Sequence, residues 1–137
     1  MNLDTLRPEI RSAVEAAQEK QAVDLTVLKL PSAFAEYFLL ASGQSTPQIA
    51  AIAGAIEEQL DRRGLHLIHR EGKPGAEWLL LDYGFFVAHI FSQPARQYYD
   101  LERLWRNAER IDFPPHERPA GQPDAQRDES ESDAVQP

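Results

Sequence analysis

Four histidines, scattered carboxylates and one Ser-Gly turn are the groups in this 137-residue chain whose chemistry comes first to mind. His66 and His69 lie three apart in LHLIHRE, a stretch of strand-forming composition, so they point to opposite faces and cannot jointly hold one ion. His89 alternates with apolar neighbours in VAHIF, the setting of a hydrogen-bonded structural histidine, and His116 lies in a Pro-rich acidic stretch. With no cysteine in the chain, thiolate metal sites, disulfides and cysteine nucleophiles are excluded, and no metal site is expected. Asp82 could approach Asp24 or Glu36, but neither pair has the fixed local spacing that acid–base chemistry requires. ASGQS (41–45), ahead of a helical pattern, could present backbone N–H groups to a phosphate. It lacks the following lysine of a P-loop, and no G-x-G-x-x-G occurs. No catalytic residue and no cofactor is expected.

The aromatic residues offer a different chemistry, recognition by contact. Trp78 opens an apolar strand beside the loop GKPGA (72–76), and Asp82-Tyr83 closes it. A turn centred on 72–75 is expected to bring Arg70 across from residues 76–78, grouping Arg70, Trp78, Asp82 and Tyr83. Trp, Tyr and Arg dominate interface hot spots, where each central residue is worth about 2 kcal/mol or more. Those four are the candidate partner-binding residues, with a partly covered surface tryptophan as the plainer alternative.

Charge limits the partner. Residues 1–113 hold 12 Lys and Arg against 16 Asp and Glu, and residues 114–137 hold 2 against 6. An acidic domain is a poor match for a phosphate backbone, because nucleic-acid affinity rests on cations that release counterions. Direct nucleic-acid binding is not expected as the main contact, whereas a basic protein partner suits the charge. EWLLLDYGFFVAHIF (77–91), the most apolar run, is too short and too polar to span a bilayer. The N-terminal residues lack a signal-peptide pattern, which makes the cytoplasm the expected location.

These residues need elements to position them. Leu6, Ile10, Val14 and Ala17 predict a helix over about 5–21; DLTVLKL (24–30) and AEYFLLAS (35–42) predict two strands around Pro31-Ser32. Ser45-Thr46-Pro47-Gln48 caps a second helix with the stripe Ile49, Ile52, Ala53, Ile56 and Leu60, closed by Gly64. Three antiparallel strands follow near 65–71, 77–82 and 85–91. A last helix opens at Ser92-Gln93-Pro94 and carries Tyr98, Leu101, Leu104, Trp105 and Ala108. The expectation is an α+β domain over 1–113, a mixed sheet of about five strands with helices packed mainly on one face. Residues 114–137, holding half the prolines and no aromatic, are expected to be a disordered acidic tail.

SAFAEYFLLASGQS, EWLLLDYGFFVAHIF and ARQYYDLERLW, in that order and parted by a capped helix, resemble the ribosomal silencing factor family, also called RsfS or Iojap-like, over about residues 8–106. The resemblance implies a non-enzymatic translation repressor with a fold similar to a degenerate nucleotidyltransferase. It implies binding to the large ribosomal subunit through its basic protein L-fourteen, so that the small subunit cannot join when nutrients are scarce. The chain departs from the family pattern at Phe85, where many members have an acidic or small polar residue, and at Glu36, where they have aspartate. A divergent nucleotide-binding protein using ASGQS is the alternative reading, and a homodimer built on a self-complementary aromatic patch is the third.

Overall fold

A computed structural model of the chain describes residues 5–31 and 35–114. The first helix, α1 (Pro8–Glu19), starts three residues later than the apolar spacing suggests, because Pro8 has no N–H and belongs in a first turn. It ends in a Schellman closure: Gln21 turns left-handed (φ 64°), its N–H reaches the Gln18 carbonyl, and the Ala22 N–H reaches that of Ala17. Strands β1 (Val23–Lys29) and β2 (Tyr37–Gly43) pair antiparallel. Helix α2 (Thr46–Arg62) is capped as its sequence predicts, with Ser45 Oγ accepting from the Gln48 N–H at 3.2 Å. The Gln48 side chain reaches back to the Gln44 N–H (2.6 Å) and donates to the carbonyls of Lys20 and Gln21, tying the start of α2 to the end of α1. Gly64 (φ 80°) closes α2 with the same two-bond pattern that ends α1.

The rest of the chain is β3 (His69–Glu71), β4 (Trp78–Asp82), β5 (Phe86–Ser92), the short helices α3 (Gln93–Tyr99) and α4 (Leu101–Leu104), and β6 (Glu109–Phe113). One mixed sheet results, in the order β3-β4-β5-β2-β1-β6, with β2 and β5 parallel and every other neighbouring pair antiparallel. The α+β class, the mixed sheet and the consecutive antiparallel β3, β4 and β5 agree with the sequence expectation.

The sheet has six strands rather than about five. ERIDF forms β6 on the free edge of β1, with Ile111 opposite Val27 and Phe113 opposite Leu25. The long C-terminal helix expected from the Tyr98–Ala108 stripe is two helices. Asp100 sits in the left-handed region (φ 49°) and breaks the run between α3 and α4.

Alternation along the strands divides the core. Leu25, Val27, Leu39, Ala41, Leu79, Leu81, Ala88 and Ile90 face the two long helices and pack with Ile10, Val14, Ile49, Ile52, Ile56 and Leu60. The opposite face carries Leu28, Leu40 and Phe91 with Phe38, Trp78 and Val87, covered by Ala95, Leu101, Trp105 and Ala108. At Gly43 an added Cβ would lie 2.8 Å from Ile49 Cγ1, so the strand-to-helix junction closes only around glycine. Among the described residues no helix is long and apolar enough to cross a membrane. The segment expected as an acidic tail lies outside the described residues except Pro114, whose carbonyl accepts from Gln18 Nε2 at 3.0 Å.

Candidate functional site

The second sheet face, under α3 and α4, carries a continuous aromatic array. Trp78 and Phe91 are cross-strand partners on β4 and β5, with ring centroids 5.8 Å apart. The Trp78 indole N–H donates to His89 Nδ1 at 3.1 Å, and on its outer side Trp78 meets Tyr99 at 4.4 Å. Tyr98 continues from Tyr99 edge to face at 5.1 Å. Trp78 is therefore half-buried, a support rather than a free anchor, while the residues it backs stand in solvent. Tyr98 is 82% exposed and Leu104 is 71% exposed. Tyr98, Tyr99, Arg103, Leu104 and Arg106 line an open groove of about 760 Å³. Large side chains left bare in one cluster mark recognition surfaces more often than isolated exposed residues do.

His89 is 4% exposed and stands between Leu40 and Leu80 on the neighbouring strands, with Phe38 edge-on at 4.5 Å. Burial pushes its pKa down to about 4, so the ring is neutral at pH 7. Accepting from Trp78 at Nδ1 places the proton on Nε2, which has no hydrogen-bond partner among the described residues. The structural role expected for His89 is thus a specific one: it fixes the indole that supports Tyr99.

Arg96 locks α3 and α4 onto the sheet. It is 7% exposed and donates to Glu102, to the hydroxyls of Ser42 and Thr26, and to the Asp24 carbonyl. Asp24 sits at a bulge in β1 with φ 49°, which turns that carbonyl toward the guanidinium. The hydrogen bonds from Arg96 hold the Glu102 carboxyl below its ordinary range, and Arg110 does the same for Asp112. Arg96 and Arg110 line a hollow of about 780 Å³, but both are engaged by carboxylates within it. This is a structural network, and sequence reasoning missed it. Its partners are 54 to 72 residues from Arg96, apart from the local Glu102, and no spacing rule reaches that far.

The four residues expected to form one patch are divided between the two faces. Trp78 and Asp82 follow the alternation of β4 toward α3 and α4, with Asp82 Oδ1 accepting from the Gly84 N–H at 2.8 Å. Tyr83 belongs to the opposite core, 4% exposed and stacked on Phe86 at 5.2 Å. Arg70 does not reach residues 76–78, because the register sets it opposite Leu81, where its side chain pairs with Glu57 of α2 at 2.6 Å. The loop accounts for the shift. Gly72 (φ 111°) and Gly75 (φ 85°) take the chain through a wider excursion than a tight turn, leaving Trp78 beyond the end of β3. Phe85 packs against the core under the Arg7 guanidinium (3.7 Å), and Glu36 pairs with the same arginine at 3.9 Å.

The phosphate cradle considered at ASGQS is occupied by its own cap, since the Gln44 and Gln48 N–H groups are both bonded by side chains of that turn. Among the described residues no group of three or more His, Cys, Asp or Glu is placed to hold a metal ion.

Comparison with known proteins finds relatives of the same fold. A family model described as ribosomal silencing factor during starvation matches residues 4–136, which runs past position 113 into the acidic segment. The ribosomal silencing factor RsfS of Bacillus subtilis is 38% identical over 106 residues, covering 76% of this chain and 90% of that protein. A crystal structure from Chromobacterium violaceum superposes with a TM-score of 0.70 at 25% identity, covering 92% of this chain and 98% of the other. One from Bacillus halodurans gives 0.66 at 31% identity over 76% and 96%. The chain belongs to the ribosomal silencing factor family.

Proposed function

We propose that the protein represses translation by binding the large ribosomal subunit through its basic protein L-fourteen and so keeping the small subunit from joining under nutrient limitation, without catalysis and in the cytoplasm. The observation that carries this reading is the match to the silencing-factor family along nearly the whole chain. The contact surface is the aromatic face: Tyr98, Tyr99 and Leu104 are the outer residues, Trp78 holds them from behind, and Asp82 lies further along the same strand face. Tyr83 and Arg70, on the other side of the sheet, join the contact only where the partner wraps the β3 edge. A basic partner suits the acidic excess of the domain, which steers association. Repression then follows from mass action, since two bodies cannot occupy one face of the subunit.

The test is co-sedimentation of the full chain with separated large subunits. The wild type is expected in the pellet. The pair Tyr98→Ala and Leu104→Ala removes exposed area without touching the core and is expected to weaken binding about 30-fold, the equivalent of about 2 kcal/mol at a central contact. Unchanged pelleting of that double variant would remove this face from the contact.

A further inference from the structure

The groove on the aromatic face has a charge of its own. Arg103 and Arg106 line it beside Tyr98, Tyr99 and Leu104, and among the described residues of its lining Asp100 is the one acid. The Arg106 N–H reaches the Arg103 carbonyl at 3.4 Å, so the two arginines follow each other by one turn. Both are exposed, and among the described residues neither enters an ion pair or a side-chain hydrogen bond. Arg7, Arg62, Arg70, Arg96 and Arg110, by contrast, are each met by a carboxylate. Within the acidic domain of residues 1–113 the groove is therefore a local reversal of sign. A basic protein partner offers these two arginines no counter-charge, so a contact on this side calls for an anion. Beside them Tyr98, 82% exposed, has ring area free to stack, and it is propped edge to face on Tyr99, which rests on Trp78.

We propose that this groove holds an unpaired segment of the large subunit's RNA, with a base stacked on Tyr98 and the adjoining phosphates on Arg103 and Arg106. The aromatic part decides between RNA and an acidic peptide. Carboxylates of a peptide would satisfy the arginines and leave Tyr98 bare, whereas each nucleotide brings a π face and an anion together. The planar fork of a guanidinium matches two oxygens of a phosphate. The strand is single because bases already stacked in a duplex have no face to offer a tyrosine. Two arginines neutralise too few phosphates to make nucleic acid the main contact, in keeping with the acidic balance of the domain. The RNA is a second point of attachment beside the protein partner, fixing how the domain lies on the subunit. The ribosomal source of the RNA rests on the proposed function, which sets this face on the large subunit.

The experiment is a fluorescence-anisotropy titration of the full chain against a labelled oligouridine octamer, an abasic octamer with the same backbone, and a hexaglutamate peptide. The uridine octamer is expected to bind at low salt, with log K falling against log salt at a slope of about −1.4, or about 0.7 for each of two phosphates. Tyr98→Ala is expected to weaken it about fivefold or more, and Tyr98→Phe to leave it within about twofold, because the ring does the stacking. The pair Arg103→Gln and Arg106→Gln is expected to flatten the salt slope. All of these side chains are exposed, so the fold is not at stake. Abasic or glutamate probes binding as tightly as the uridine octamer would overturn the choice of RNA. Unchanged affinity in Tyr98→Ala, or an unchanged slope in the arginine pair, would overturn the groove. Sedimentation with large subunits tests the source: the arginine pair should show a weaker salt dependence than the wild type, and equal dependence would overturn the ribosomal assignment. Octamer binding by a chain that does not sediment sinks the proposed function and leaves the RNA groove standing, whereas sedimentation without octamer binding does the reverse.

Discussion

Lowering the pH from 7.5 to 5 is expected to weaken the fold through His89, and the size of the effect follows from its surroundings. In the folded chain burial lets His89 take up a proton only near pH 4, whereas in the unfolded chain it does so near the ordinary 6.5. Between those values the unfolded chain binds more protons, so stability is full above pH 6.5 and declines as the pH falls toward 4. The complete loss is about 3 kcal/mol, of which about 2 kcal/mol has gone by pH 5. Glu102 and Asp112 have lowered pKa values, so their stabilisation is present above the ordinary carboxylate range and is lost as the pH falls from there through the lowered values, which leaves little of that loss above pH 5. Urea unfolding of the wild type and of His89→Leu across pH 5 to 7.5 isolates the histidine. The variant loses the acceptor for the Trp78 indole, a cost of about 1 kcal/mol that does not change with pH, and its stability should lack the 2 kcal/mol decline. A decline of equal size in both proteins would refute the assignment of a buried neutral His89.

The remaining predictions concern the parts that hold the site. Arg96→Ala leaves Glu102 without its main partner and removes the donor to the buried Ser42 hydroxyl, while Thr26 keeps its bond to Asp112, so a loss of about 3 kcal/mol is expected in urea unfolding. Gly43→Ala drives a methyl group against Ile49, 2.8 Å from its Cγ1 and 3.2 Å from its backbone nitrogen, and should cost about 2 kcal/mol with a matching fall in Tm. Asp100→Gly relieves a left-handed residue between α3 and α4 and should raise stability by up to about 1 kcal/mol, measured in the same way.

How much of this was legible in the sequence depended on how local each cause was. The start of α2 was readable because Ser45, Pro47 and Gln48 act within four residues of one another; the structure keeps the Ser45 cap on the Gln48 N–H, while the Gln48 side chain returns to the N–H of Gln44, one residue before the cap. The strands of EWLLLDYGFFVAHIF were readable because Asp82 and Gly84 turn the chain locally, through one side-chain bond and a positive φ. The C-terminal helix was misread for the opposite reason. A helical stripe runs through Tyr98, Leu101, Leu104 and Trp105 without interruption, and aspartate is an ordinary helix residue. Asp100 breaks the helix where Trp105 packs edge-on to Phe38 (6.2 Å) and where Arg96, bonded to Glu102, is itself tied to Ser42 and Thr26, contacts with Phe38, Ser42 and Thr26 that are distant in sequence. That break is what leaves Tyr98 and Leu104 bare, so the same error hid the outer part of the candidate surface. Trp78 was picked out from its position in the strand, but its roles as donor to His89 and support for Tyr99 required the fold. Tyr83 and Arg70 were grouped with it by a hairpin register that the two glycines of the loop displace.

The central claim, that the chain occupies the joining face of the large subunit, is tested most directly by mixing purified large and small subunits with increasing amounts of the protein and following the joined fraction by light scattering. Prior incubation with the large subunit should lower the joined fraction in proportion to the protein bound, and excess small subunit should restore it by competition. Full joining while the protein remains bound to every large subunit would contradict the account.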